Sequence, residues 1–112
     1  MQQDYAVVVV TTDSKESAKM LAKILLEKHL AASVQLFPIE SLYWWEGTVH
    51  DEHETVLLIK SKTALFGEIK ATIKENHDYQ VPEILQLPIM DGLPEYLDWI
   101  GENTKQADEN FD

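Results

Sequence analysis

Tyr5 to Val10 is an unbroken apolar run containing four valines, and it constrains the fold more than any other segment. Such a run suits a strand buried on both faces, in the middle of a sheet rather than at its rim. The polar stretch Thr11-Thr12-Asp13-Ser14 then turns the chain. Asp13 is positioned to cap a helix, with Glu16 three residues later reaching back, and Ala18, Leu21, Ala22 and Leu25 repeat at helical spacing toward about Leu30.

Beyond that helix, Ser33 to Phe37 alternates around Val34 and Leu36, Pro38 interrupts, and Ser41 to Glu46 resumes as an aromatic strand. A proline there predicts an edge strand or a bulge. Gly47 and the polar residues after it form a turn, and Thr55 to Lys60 returns as a buried strand, closing a hairpin. Thr63 caps a second helix through Phe66, Ile69 and Ile73, ending near His77. Leu85, Leu87 and Ile89 alternate as a last strand with one side unpaired at Pro88, and Leu93, Tyr96, Leu97 and Ile100 mark a terminal helix opened by Pro94.

The order is an α+β, ferredoxin-like βαββαβ: an antiparallel sheet with its helices on one face, a long second hairpin and an extra C-terminal helix. At 112 residues the chain is expected to be one domain, 1–112, with an ordered core over about 4–103 and a frayed polar tail, 104–112. One sheet face stays uncovered in this arrangement. The aromatic hairpin of Tyr43, Trp44 and Trp45 is also too apolar for a monomer's surface, so both features predict self-association.

Chemistry is narrowed by what the chain lacks. There is no cysteine, which removes thiolate metal sites and cysteine nucleophiles. The net charge of −11 comes from 20 acids against nine bases, all of them lysine. Without arginine there is neither a bidentate phosphate fork nor a guanine reader, so nucleic acid and anionic membranes are poor partners and cations are better matched. The N-terminus has no basic leader and no apolar stretch approaches a membrane span, which predicts a cytoplasmic protein. Neither a nucleophile elbow, nor a phosphate-cradling glycine loop, nor a His-Glu-x-x-His helix is present, so no enzymatic activity is expected.

Two clusters carry possible ligands. His50-Asp51-Glu52-His53-Glu54 follows the hairpin turn, and strand alternation would set His50, Glu52 and Glu54 on one face and Asp51 and His53 on the other. Neither set closes a cage, and a solvated polar hairpin tip is the favoured reading; Glu54, beside the buried run, is the member that needs a fixed partner, from Lys60 or from a lysine of another subunit. In His77-Asp78-Tyr79-Gln80-Val81-Pro82-Glu83, the histidine caps the end of a helix more naturally than it ligates a metal, while Tyr79, Pro82 and Glu83 form a rigid loop suited to lining a cleft.

Leu30-Ala31-Ala32, Ser41-Leu42-Tyr43-Trp44-Trp45-Glu46-Gly47, Ile59-Lys60, His77-x-Tyr79-x-x-Pro82-Glu83 and Tyr96-Leu97-x-Trp99 together resemble the CutA family of divalent-cation tolerance proteins, from about Tyr5 to Ile100. The resemblance implies a ferredoxin-like subunit in a homotrimer, related in architecture to the PII signalling proteins, with a role in divalent-cation tolerance and no required cofactor. It implies a possible divalent metal ion, copper or zinc, at His77 with Asp78 as an oxygen ligand. It also implies a cleft between subunits lined by Lys60, Glu54, Tyr79 and Glu83, and an interface formed by Tyr43, Trp44 and Trp45. Copper-binding members carry cysteines where this chain has Val10 and Ser33, and Asn76 and Asp78 flank His77 where others have histidine and proline. An alternative reading is a PII-like module that senses a small ligand in that cleft.

Overall fold

The computed structural model describes residues 4–107; Met1-Gln2-Gln3 and the last five residues of the expected tail lie outside them. Strands β1 (Tyr5–Thr12), β2 (Ser33–Trp45), β3 (Thr48–Lys62) and β4 (Ile84–Pro88) form one antiparallel sheet in the order β2-β3-β1-β4. The valine run is central, as its composition requires. Helices α1 (Lys15–Glu27) and α2 (Phe66–Glu75) follow β1 and β3, and α3 (Pro94–Glu102) ends the chain.

Alternation along the strands separates two faces. Val8, Val10, Leu57 and Ile59 join Leu21 and Leu25 of α1 and Ile69 and Ile73 of α2 in one buried core. Burying each such side chain contributes about 1.5–3 kcal/mol, so this layer supplies most of the driving force. Val7 and Val9 point the other way and are only half-buried. They share that face with Leu58, Phe37, Leu85 and Leu87, the last three being 43%, 54% and 52% exposed. The run therefore meets a packed layer on one side only.

Several local expectations change. Ser14, not Asp13, caps α1, accepting the amide of Ser17 at 3.1 Å, while Asp13 accepts the Ser17 hydroxyl. The helix stops at Glu27 rather than near Leu30, because His29 adopts a left-handed φ of 57°. Leu30 N–H then reaches the Leu25 carbonyl and His29 N–H the Leu26 carbonyl, a Schellman stop sealed by fully buried Leu25 and Leu30. Thr63 does not cap α2 directly: it opens a short 3₁₀ turn, Thr63–Leu65, and its hydroxyl is buried without a hydrogen-bond partner among the described residues.

Pro38 does not break the second strand. β2 runs continuously through it in unbroken register, Pro38 facing Thr55, which an edge strand tolerates and which excludes a bulge there. β3 likewise begins at Thr48, so the polar His50–Glu54 cluster is strand rather than turn. The turn itself is Glu46-Gly47, with φ of 50° and 79°, both in the left-handed region of a tight two-residue hairpin.

The tail is ordered further than expected. Thr104 and Lys105 are buried; Lys105 donates its backbone N–H to His29 and pairs with Glu68 at 2.8 Å, and Lys62 Nζ donates to the carbonyls of both residues. α3 is held by Ile100 and by Gly101, where a Cβ would stand 2.9 Å from the Tyr5 hydroxyl. Any larger residue there would have to push the Tyr5 hydroxyl aside.

Candidate functional site

The hairpin of β2 and β3 extends as an arm beyond the layer covered by helices. Trp44 and Trp45 lie on its opposite faces because strand side chains alternate. Trp44 is 74% exposed, beside Leu42 and Val49, while Tyr43 and Trp45 are half-buried on the other side. Tyr43 stacks on His50, its register partner, with ring centroids 5.6 Å apart, and His50 Nδ1 lies 3.4 Å from a Glu52 carboxylate oxygen. Loss of hydration, with Glu52 next and Glu54 behind it, holds the Tyr43 phenol above its usual pKa.

The loop after α2 faces this arm. His77 uses both ring nitrogens: Nδ1 accepts the Tyr79 amide at 3.0 Å, and Nε2 lies 2.6 Å from the Thr11 carbonyl. A nitrogen facing an N–H must be the unprotonated one, so Nε2 carries the hydrogen and donates it to Thr11. This clasp ties the loop to the end of β1. Tyr79 then extends its hydroxyl to Glu54, donating at 2.7 Å. Glu54 is only 7% exposed, and burial first, with the bond to Glu54 second, pushes the Tyr79 phenol well above its ordinary range.

Between arm and loop opens a concave surface of about 920 Å³ lined by Tyr43, Trp45, Glu52, Glu54, Tyr79, Asp78 and Glu83 among others. The sequence-predicted residues Glu54, Tyr79 and Glu83 therefore come together there, with Asp78 at the same rim and Tyr43, Trp44 and Trp45 forming the far wall. Lys60 does not join them. It stands six residues along β3 from Glu54, its amine donating to the Gln35 side chain, and burial lowers its pKa. Five carboxylates, including that of Glu40, and no lysine line the concavity, which makes it hostile to anions.

The residues do not fit a tight metal centre. Among the described residues, no three His, Asp or Glu side chains converge as ligands. A metal at His77 Nδ1 would have to displace the Tyr79 amide, and Asp78 would supply only a second donor where closed sites use four. Sequence reasoning missed the carbonyl of Thr11 as the anchor of the histidine; backbone acceptors leave no signature in residue type. The Tyr43–His50 stack was legible in principle, since the two residues are equidistant from the Glu46-Gly47 turn.

A family model described as the CutA1 divalent ion tolerance protein matches residues 6–103. The Divalent-cation tolerance protein CutA of Thermus thermophilus is 46% identical over 99 residues, covering 88% of this chain and 96% of that protein. Protein CutA 1, chloroplastic, of Oryza sativa is 42% identical over 102 residues, covering 90% of this chain, which spans 58% of that longer relative. The solved structure of the periplasmic divalent cation tolerance protein CutA from Archaeoglobus fulgidus superposes with a TM-score of 0.89 at 40% identity, covering 90% of this chain and 99% of that one.

Proposed function

Because the chain belongs to the CutA1 divalent ion tolerance family, we propose that it is a non-enzymatic homotrimer contributing to divalent-cation tolerance. The observation that carries the assembly is the uncovered apolar side of the sheet, where Phe37, Leu85 and Leu87 are exposed, together with the opposite face of the arm, where Leu42, Trp44 and Val49 are 69%, 74% and 50% exposed. Two exposed apolar patches on one chain call for a partner, and the β2 edge of the sheet offers a further means of joining one. Native mass spectrometry tests it: a mass of three chains is expected, and a monomer at micromolar concentration would overturn it.

Cation handling in this reading is weak rather than resident. His77 and Asp78 offer two donors, reached only when the Tyr79 amide leaves Nδ1, and the acidic concavity attracts cations without caging them. Titration calorimetry with copper and zinc is expected to give only millimolar binding, reduced in His77→Ala. Stoichiometric micromolar binding would refute that part. The family does not fix a compartment, since relatives are named chloroplastic and periplasmic, and the cytoplasmic location is a proposal that cell fractionation tests.

A second reading, a PII-like module sensing a small ligand, is favoured by the size of the concavity alone. Its negative lining selects cationic or neutral ligands unless a lysine enters from another subunit. A thermal-shift screen of amines, organic acids and nucleotides separates the readings, because a ligand bound only by the folded state raises the melting temperature.

A further inference from the structure

α3 is fastened at its far end by a clasp more than along its length by a core. Ile100 is the one fully buried residue of the helix and Leu97 is half-buried, whereas Leu93 before it and Tyr96 and Trp99 within it are 65%, 40% and 40% exposed. A helix of nine residues is too short to persist in water without tertiary support. Among the described residues no side chain caps its first turn, and the linker before it, 90–93, is exposed and belongs to neither strand nor helix.

Past Asn103 the attachments multiply. Tyr5 and Lys62 are register partners on the face that carries Val7 and Lys60, and Gly101 approaches the Tyr5 hydroxyl, which sets the end of α3 against that side of the sheet. Lys62 Nζ donates to the carbonyls of Thr104 and Lys105, both at 3.0 Å. Lys105 continues to the opposite layer: its N–H reaches the His29 carbonyl at 2.9 Å, and its amine, 4% exposed, pairs with Glu68 in the first turn of α2. Two buried residues thus cross the end of the sheet and tie both of its sides together. They lie just past the residues 6–103 that the family model matches.

We propose that α3 is a hinged lid over the Tyr5 end of the sheet, latched by Lys62 and Lys105, and that this latch sets how often the lid opens. The hinge is the exposed linker 90–93. Hydrogen bonds to an ammonium group are stronger than neutral ones, and losing Lys62 leaves two carbonyls of buried residues without their donor, so one side chain governs the whole unit. With the latch closed, α3 occupies one end of the open face. With it open, helix and clasp leave together, and the apolar face extends to Tyr5.

Amide hydrogen exchange on the intact chain tests the lid, with chemical denaturation reporting global stability. In the parent, the amides of α3 are expected to exchange faster than those of β1, because the lid opens without the rest of the sheet. Lys62→Met should speed exchange across α3 by about tenfold or more while β1 stays near its parent rate, and Lys62→Arg, which keeps the donors, should remain within about threefold of the parent. Since Lys62→Met risks unfolding the subunit, Glu68→Gln is measured alongside; it releases only the Lys105 ion pair and should give a smaller acceleration confined to α3. Exchange of α3 and β1 at one common rate in the parent and in every folded variant overturns the lid. An acceleration spread evenly over the chain overturns it as well, since the clasp would then be holding the whole fold and not one movable helix.

Discussion

Tyr79 shows how one side chain couples a loop to the sheet. Among the described residues its hydroxyl is the only hydrogen-bond donor to the buried Glu54 carboxylate, while its amide is held by His77. Tyr79→Phe keeps the ring and strands the carboxylate, so a loss of about 1–3 kcal/mol in unfolding free energy is expected by chemical denaturation. The pH dependence has a definite sign. The folded pKa of Tyr79 is raised above its ordinary 10.0, so the native state keeps a proton that the unfolded chain releases. This stabilisation is complete below pH 10 and is lost as pH climbs toward the folded value. Parent stability should therefore fall more steeply above pH 10 than that of Tyr79→Phe; parallel alkaline profiles would show that the phenol's environment contributes nothing. The sequence offered Tyr79, Glu83 and Glu54 as cleft residues, and these do converge, because the loop of eight residues between α2 and β4 has little freedom to go elsewhere. It offered Lys60 as well, and that residue stands apart, since proximity in the family's motifs says nothing about distance along a strand within one subunit.

The elements were legible wherever apolar period and length agreed. β1, α1, β3 and α3 follow directly from valine runs and helical spacing, whereas boundaries depended on backbone detail that residue types encode weakly. α1 ends three residues early because His29, not a glycine, takes the left-handed position. Pro38 gave a false break because an edge strand can carry a proline without losing its ladder. The same backbone detail makes the hairpin improvable. Glu46 occupies a left-handed position that favours asparagine, so Glu46→Asn is expected to raise the melting temperature, corresponding to about 0.5–1 kcal/mol. No change would mean that the turn is strained elsewhere. The arm's two tryptophans separate by face: Trp44 is 74% exposed, so Trp44→Ala should barely alter the stability of a lone subunit. In an assembly that buries the ring it should cost about 1.5–3 kcal/mol per copy, read as weaker association. Equal association of Trp44→Ala and parent would take that face of the arm out of the interface.

At the scale of the molecule, charge and apolar surface pull in opposite directions. Each chain carries a formal −11, so bringing copies together concentrates negative charge, while the half-covered sheet and exposed arm favour contact. The sequence exposed both tendencies from counts and alternation alone. Which charges lie within contact range was not legible, because that depends on the register of β3 and on where the 77–83 loop returns. Screening length decides how the balance responds to salt: repulsion between surfaces acts over tens of ångströms at about 0.01 M ionic strength and over about 8 Å at 0.15 M. Raising sodium chloride across that range should therefore strengthen association of the parent chain, read in sedimentation as a lower subunit concentration at half-dissociation. If salt instead weakened association, exposed ion pairs would be holding the copies together, and the apolar face would lose its place as the driving surface.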